Sequence, residues 1–298
     1  MEHSFTFIKN AKDLFRKDVN TNILQDKIHF VPTNGAGCLM QQPALIYLNA
    51  YTTILVLSGT ASLNINYKRY NIESDSLILL SPSKLFSIEY CSSDFRCESL
   101  SISGEYVEEI NCNETTNIIK NHFGENSLPT IISLSGEHQT TILDRFMTIG
   151  DCLTNIGHLY YNQVVCNRVT AFFLDLADIV EVNKESIVDY TMTRYEQLTS
   201  LFMELLTKHY RSEHNVDFYA EKQHITPHYL TLVLKQTASL SANELIFEML
   251  YSEARLLLSK PKASIQDVAN RLYFSDQSSF GKFFKRKSGM SPIEYKKV

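Results

Sequence analysis

The sequence predicts an α+β protein with a strand-rich amino-terminal half, a helical middle and an all-α carboxy-terminal part. Three observations predict this order. Short apolar and β-branched runs, separated by turn residues, fill residues 30 to about 110. Apolar residues then recur at helical spacing between residues 115 and 184. Residues 194–298 are helical in pattern and contain one pair of helices twice.

Length and composition set the broad class. A chain of 298 residues suffices for two domains, and 44% apolar with 20% charged residues is usual for a globular protein. The start Met1-Glu2-His3-Ser4 lacks the basic and apolar segments of a secretory signal, and no run approaches the roughly 20 apolar residues of a membrane span. The six cysteines form no CxxC pair. We therefore expect reduced thiols, a cytoplasmic location and no membrane contact.

The amino-terminal half carries three clear strand patterns, which are Thr53–Leu57, Ala61–Tyr67 and Ser76–Leu80. Turn residues separate them, namely Ser58-Gly59-Thr60, Glu73-Ser74-Asp75 and Ser81-Pro82-Ser83. Strands about ten residues apart with such turns predict a small barrel or double-sheet roll. The pattern resembles a cupin, and the residues that carry the resemblance are Gly59, Ile65, Tyr70, Asp75, Ile78 and Ser81-Pro82.

The middle of the chain carries an apolar stripe at helical spacing. Its members are Ile142, Phe146, Ile149, Leu153, Val165, Val169, Phe172, Leu176 and Ile179. The stripe is either the seam of a homodimer or the face that docks on the barrel. Residues 183–193 are the best linker. We therefore expect a cupin-like regulatory domain over 1–135, a helical dimerisation or linker region over 136–193, and a separate domain over 194–298.

The last part of the chain contains the same helix pair twice. A first helix over Ala220–Ile225 is followed by a second that starts at Thr226-Pro227; Ala269–Phe274 and Ser275–Lys287 repeat them. The copies align Leu230 with Phe280, Leu234 with Phe284, Lys235 with Lys285 and Ser241 with Ser291, with one extra residue in the second turn. Helix, tight turn and helix at this spacing predict two helix-turn-helix motifs, whose second helices fit the major groove of DNA.

Helix start signals support the repeat. Ser241 with Glu244 and Ser291 with Glu294 have capping-box spacing, and Thr226-Pro227 puts a hydroxyl cap before a proline at the first helical position. Between the copies, a central helix is expected from Glu244 to Ser259.

The charge distribution favours a polyanionic partner for the tail alone. The whole chain carries −5, yet residues 194–298 hold 15 Lys and Arg against 11 Asp and Glu. From Lys260 onward the balance is 9 against 3. An acidic body with a basic tail is typical of a protein whose tail meets nucleic acid, although a solvated basic helix face gives the same count.

Helical spacing separates the residues that face the core from those that could contact DNA. The predicted contacts are Thr226, His228, Thr231 and Lys235 in the first copy, and Ser275, Gln277, Ser278, Gly281, Lys282 and Lys285 in the second. Gln can pair with adenine, Lys can reach guanine acceptors, and Ser or Thr can serve either base edge. The run Lys285–Lys287 is assigned to phosphate or to charge pairing at the helix end. Two residues have alternative roles that the sequence does not separate. Leu232 either touches a thymine methyl or packs on a neighbouring helix. Gly281 either lets the helix approach DNA closely or is merely tolerated.

Six segments of the carboxy-terminal part resemble the AraC/XylS family of bacterial transcription regulators. The motifs are Tyr219–Lys222, Thr226–Leu230, Arg255–Leu258, Ile265–Phe274, Ser275–Lys285 and Gly289–Pro292. The resemblance implies double-stranded DNA and RNA polymerase as partners, an effector-binding barrel and a homodimer. Two residues depart from the family: Leu232 replaces a common Arg, which puts a guanine contact there in doubt, and Tyr273 replaces a common Gly in the second turn.

The sequence also bears on two other functions. A cupin-type enzyme needs histidine and carboxylate ligands inside the barrel, but no histidine falls between residues 30 and 121, and no acidic cluster, phosphate loop or nucleophile elbow appears. We therefore expect no catalysis, metal or cofactor. An architectural DNA binder without an effector stays open, and so does the choice between activation and repression.

Overall fold

The computed structural model describes residues 5–8, 22–24, 27–31, 45–48, 50–65, 68–82, 85–110, 118–119, 131–183, 193–259 and 263–296. The predicted linker therefore lies mostly outside the described residues, as do Asn66, Tyr67 and Ser83 of the predicted strands and turns. Contacts divide the chain into two compact units, one holding residues 8–191 and the other residues 5–7 and 192–298. None of the described helices is long and apolar enough to cross a membrane.

Eleven strands are described. They are β1 Phe5–Ile8, β2 Asn22–Leu24, β3 Ile28–Val31, β4 Leu45–Leu48, β5 Ala50–Ser58, β6 Ala61–Ile65, β7 Lys68–Ile72, β8 Ser76–Leu80, β9 Leu85–Cys91, β10 Arg96–Ser103 and β11 Ile131–Ser133. The six-stranded sheet has the order β11-β8-β5-β10-β3-β2, and β4, β9, β6 and β7 lie side by side in a second sheet. The pairs with a described register are antiparallel, as between Leu100 of β10 and Thr53 of β5. The predicted double-sheet region is thus present, while its likeness to a cupin stays a prediction.

The space between the two sheets is an apolar core. Alternate residues of β5, β6, β8 and β9 fill it, among them Ile54, Val56, Leu63, Ile78, Phe86 and Ile88. The turn between β5 and β6 requires glycine, because Gly59 has φ +77° and an added Cβ would lie 2.6 Å from the backbone of Phe95. The turn signal at Ser58-Gly59-Thr60 therefore has a steric cause.

The first unit also contains three described helices, α1 Gly104–Glu109, α2 Gly136–Thr154 and α3 Tyr161–Val182. The last two form a hairpin that packs on the outer face of the six-stranded sheet. Phe146 of α2 lies 6.0 Å from the Phe30 ring of β3 and 5.8 Å from the Phe172 ring of α3, measured between ring centroids. Arg145 Nε donates to Asp175 Oδ2 at 2.5 Å across the hairpin.

This packing decides between the two interpretations of the apolar stripe. Every member of the stripe is buried within one chain, in a cluster that also contains sheet residues such as Phe30, Leu55 and Leu100. The stripe is therefore the docking face on the sheet, and a dimer seam made of these residues is wrong. Helical periodicity predicts that a face is apolar, but it does not identify the surface that covers it.

From residue 192 onward, the second unit is all-α. Its described helices are α4 Arg194–His209, α5 Val216–Lys222, α6 Pro227–Ala238, α7 Ala242–Leu258, α8 Ile265–Arg271, α9 Gln277–Ser288 and α10 Pro292–Tyr295. The predicted capping boxes at Ser241 and Ser291 are present, and a third begins α4 at Thr193. Helix α7 matches the predicted central helix and contacts α6, α8 and α9.

Candidate nucleic-acid interface

The second unit contains two helix-turn-helix motifs, α5 with α6 and α8 with α9. The first helices are offset by 49 residues, from Val216 to Ile265, and the second helices by 50, from Pro227 to Gln277. The predicted extra residue in the second turn is thus present. The predicted bounds of the first helices are wrong: α5 starts four residues before Ala220 and ends at Lys222, and α8 ends at Arg271. Helix α9 starts at Gln277, two residues after Ser275.

The two turns have the same backbone path from the ends of α5 and α8 as far as Ile225 and Phe274. Ile225 N donates to Ala220 O at 3.0 Å, and Phe274 N donates to Ala269 O at the same distance. The residue before each donor has a left-handed backbone, with φ 54° at His224 and 53° at Tyr273. Ile225 is followed directly by the cap Thr226, whereas Phe274 is followed by Ser275 and then by the cap of α9. Ser275 is therefore the inserted residue.

The caps of the two second helices differ in charge. Thr226 Oγ1 accepts from Tyr229 N at 3.1 Å, and Pro227 follows it in the first turn of α6. In the second copy, Asp276 Oδ1 accepts from Ser279 N at 2.7 Å. Hydrogen bonds from the backbone and hydroxyl of Ser279 lower the pKa of the exposed Asp276 carboxyl below its ordinary value. The amino terminus of α9 thus carries a negative charge that α6 lacks.

The second helices bury equivalent faces. Leu230, Val233 and Leu234 are buried on α6, and the residues fifty positions later are buried on α9, namely Phe280, Phe283 and Phe284. Phe274 of the turn closes this second core, because its ring centroid lies 5.4 Å from that of Phe280. Amphipathic spacing therefore predicted the buried face of both helices correctly.

The predicted contact residues lie on the opposite faces or at the helix starts. Exposed members are Thr226, His228, Lys235, Ser275, Gln277, Ser278, Lys282 and Lys285, and partly buried members are Thr231 and Gly281. Leu232 is 42% exposed, so it is not covered by a neighbouring helix, and it occupies the position of Lys282 in the second copy. Their contact with DNA stays a prediction.

The basic run at the end of α9 divides into two groups. Lys287 Nζ donates to Glu248 Oε1 of α7 at 2.5 Å, and the Arg286 guanidinium lies 5.3 Å from the centroid of the Phe247 ring. Both cations therefore help to hold α9 on the central helix. Lys285 is exposed on the same face as Lys282. Among Lys285, Arg286 and Lys287, Lys285 is therefore the residue that lies on the outward face of α9.

Sequence analysis predicted helix from residue 194 onward, but it gave neither the bounds nor the contacts of the helix that supports the first copy. Helix α4 packs on α6, where Thr199 and Thr237 share a hydrogen bond of 2.7 Å between their hydroxyls. The Phe202 ring lies 5.3 Å from the Tyr219 ring of α5, measured between centroids. The capping box at Thr193-Glu196 was the sequence signal for the start of this helix.

An ion pair between a half-exposed arginine and a buried carboxylate ties the segment between α4 and α5 to the central helix. Arg211 Nη2 donates to Glu253 Oε1 at 3.1 Å, and Glu253 is only 3% exposed. Breaking such a pair is costly because the remaining carboxylate stays in a poorly solvated place. This pair and the Lys287–Glu248 pair of the second copy both end on α7, so one helix sets the distance between the two outward faces.

Residues 219–297 match the protein family described as "Helix-turn-helix domain". The Msm operon regulatory protein of Streptococcus mutans is 27% identical over 122 residues, which are 41% of this chain and 44% of that protein. The raffinose operon transcriptional regulatory protein RafR of Pediococcus pentosaceus is 36% identical over 69 residues, which are 23% and 25% of the two chains. The chain thus spans less than half the length of these relatives. A structure of ToxT from Vibrio cholerae is 15% identical with a TM-score of 0.43, over 95% of this chain and 96% of that one.

Two equivalent helix-turn-helix motifs on one central helix, together with the family match, define the second unit as a DNA-binding domain of the helix-turn-helix class. The predicted resemblance of this domain to those of AraC/XylS-family transcription regulators is confirmed.

Proposed function

We propose that this chain is a sequence-specific DNA-binding transcription regulator whose helices α6 and α9 enter successive major grooves on one side of the duplex. The observation that carries the proposal is the equivalence of the two copies: each has a left-handed residue at the same position of its turn, the same buried face and a polar outward face. Two reading helices fixed by a common central helix fit sites about one helical turn apart.

The two outward faces differ in charge, which predicts different tasks. Helix α6 contributes Lys235 alone, whereas α9 presents Lys282 and Lys285 beside Gln277. We assign base contacts to Gln277 and Lys282, because their amide and ammonium groups match the acceptors and donors of purine edges. The first copy, with His228, Thr231 and Leu232 outward, depends more on DNA shape and on thymine methyl contact.

The test is selection of bound duplexes from random DNA by the full chain and by Gln277→Ala with Lys282→Ala. The double variant should lose base preference in one half of the selected site, since each good base contact contributes about 1–3 kcal/mol of discrimination. A matched control removes Gln197 and Lys208, which are exposed on α4, and should select the original sequence. Enrichment of an unchanged sequence by the Gln277/Lys282 variant contradicts the assignment.

We also propose a homodimer, formed through surface other than the buried stripe. The outer face of the α2–α3 hairpin leaves large apolar side chains exposed, among them Met147, Leu174 and Val182. Analytical ultracentrifugation of the full chain should show a dimer that Leu174→Glu weakens. Tyr90→Glu, at an exposed tyrosine of β9, should leave the association constant unchanged. Equal dimerisation by both variants excludes this face.

The resemblance to AraC/XylS-family regulators supports three further proposals. We propose control by a small-molecule effector in the first unit, contact with RNA polymerase and a cytoplasmic location. Selection of bound DNA with and without a metabolite extract separates effector control from an architectural role. An architectural binder should select the same DNA in both conditions. No three His, Cys, Asp or Glu side chains of the described residues are placed to share a metal ion.

A further inference from the structure

The loop between α4 and α5, residues 210–215, is fixed to the first copy of the helix-turn-helix motif. Within the loop, His214 Nε2 donates to Arg211 O at 2.9 Å. The Tyr219 hydroxyl of α5 donates to Glu213 O at 2.8 Å, and the Tyr219 side chain is buried in the core of the first copy. The loop is therefore held to the first copy by its own hydrogen bonds.

Two side chains of this loop reach beyond the first copy. The Arg211 guanidinium is paired with Glu253 of the central helix α7. The His214 ring lies against the Phe274 ring, with 4.9 Å between the ring centroids and 47° between the ring planes. Aromatic rings at such a separation attract each other. Because Phe274 belongs to the turn of the second copy, one loop of the first copy contacts both the central helix and the second copy.

Phe274 connects this contact to both helices of the second copy. Its ring centroid lies 5.4 Å from that of Phe280 and 5.1 Å from that of Phe283, which are buried on α9. Phe274 N donates to Ala269 O of α8 at 3.0 Å. A displacement of α8 or α9 would therefore move the Phe274 ring relative to His214.

The position equivalent to His214 in the second copy is occupied by alanine. His214 lies two residues before α5, and Ala263 lies two residues before α8. The second copy thus forms its two helices and its turn without a ring at this position. The His214 ring is therefore not a requirement of the motif itself, and its contact lies between the two copies.

The central helix by itself leaves one freedom of movement to the two copies. Both copies pack on α7, and a body that is attached along one axis can still rotate about that axis. The contact of His214 with Phe274 joins the copies without a residue of α7, so it opposes this rotation. We propose that residues 210–215 are a brace that holds the two copies in one relative orientation. His214 is then a positioning residue that determines which spacing between the two halves of a DNA site the chain accepts.

This inference rests on the proposed function, but it concerns the spacing of the site and not the recognition of its bases. The experiment uses the duplex that the full chain selects from random DNA, and two derivatives with one base pair inserted or removed between the halves. One base pair moves the second half by about 3.4 Å along the duplex and rotates it by about 35°. Because the brace opposes the matching movement of α9, the full chain should bind each derivative at least roughly tenfold more weakly than the selected duplex.

The spacing penalty, defined as the ratio of the affinities for the selected duplex and for a derivative, is compared among variants. His214→Ala removes the ring, so the penalty should fall roughly threefold or more, and the selected duplex should bind less tightly because the two helices are less preorganised. His214→Phe keeps a ring against Phe274 and should retain the wild-type penalty. The matched control is His209→Ala, which removes a ring pair between α4 and α5, 5.1 Å from Phe218, and should also retain it.

The outcomes separate the brace from a general loss of structure. If His214→Ala weakens binding to all three duplexes equally, the penalty is unchanged and the brace is overturned. Equal affinity of the wild type for the three duplexes, or a reduced penalty in His214→Phe, also overturns it. Should urea unfolding show that His214→Ala does not fold, His214→Gln gives the same comparison, because it keeps an N–H donor for Arg211 O without the ring. Failure of the wild type to select any duplex contradicts the proposed function, and the positioning role with it.

Discussion

Gln223 and Leu272 occupy the same position in the two helix-turn-helix motifs, directly after α5 and α8, and both are buried. Leu272 is fully buried and Gln223 is 5% exposed. Both amide atoms of Gln223 lack a hydrogen-bond partner among the described residues. A buried amide without partners loses its hydration and gains little in return. The first copy therefore carries a destabilising group where the second has an ordinary core residue.

Gln223→Leu should raise the free energy of unfolding by about 1–3 kcal/mol, because it removes the unsatisfied amide and adds apolar contact. Urea denaturation of the full chain measures the change. The reciprocal Leu272→Gln should lower the stability of the second unit by a similar amount. Equal stability of wild type and Gln223→Leu would show that the amide is solvated or paired, contrary to the structure.

The left-handed residue in the second turn gives a second prediction. Tyr273 has φ 53° and is 68% exposed, so it carries the steric cost of this conformation with little packing in return. Tyr273→Gly should stabilise the protein by roughly 1 kcal/mol, since glycine adopts positive φ freely. Tyr273→Ala is the matched control, because it removes the ring but keeps the Cβ. A gain of the same size in both variants would assign the effect to the ring.

Local signals explain what the sequence predicted well. The buried faces of α6 and α9 follow from apolar spacing, and the starts of α6, α7 and α10 follow from capping residues that hydrogen-bond within three or four positions. The extra turn residue was visible as a change of offset between the copies. Its identity as Ser275 was not, because only the backbone conformations of His224 and Tyr273 fix the two turns in register.

Other features depend on contacts that sequence does not contain. The same stripe that suggested a dimer is covered by the sheet, and no spacing rule distinguishes a sheet from a second chain. Gln223 falls within the first helix predicted over Ala220–Ile225, and nothing in that pattern indicates that it lies just after the helix and is buried. The contact of His214 with Phe274 joins residues that lie far apart along the chain, so no local pattern could reveal it.

The acidic cap of α9 gives a prediction about pH. Hydrogen bonds from Ser279 lower the pKa of Asp276 below its ordinary value of 3.8. A carboxyl with a lowered folded pKa stabilises the protein above its unfolded pKa, and this contribution is lost as the pH falls through the folded pKa. Asp276→Ser keeps a capping hydroxyl without the titration. The stability difference between wild type and Asp276→Ser should therefore change only below about pH 4 in urea unfolding; a difference independent of pH from 2 to 6 would contradict it.

Substitution of Gly281 should have opposite effects on the stability of the protein and on its affinity for DNA. It occupies the position of Thr231 on the outward face of the second copy. Apart from adjacent residues and the backbone of α9 itself, no heavy atom of the described residues lies within 4 Å of where a Cβ would stand. Gly281→Ala should therefore stabilise α9 by about 0.5–1 kcal/mol, because alanine is the better helix former. If α9 lies against DNA as proposed, the added methyl group contacts the duplex. Affinity for the selected site should then fall several-fold, while urea unfolding shows the higher stability.

Ser288→Ala, on the last turn of α9, is the control and should leave affinity unchanged. Higher stability with unchanged affinity for Gly281→Ala would place the DNA away from this position of the helix.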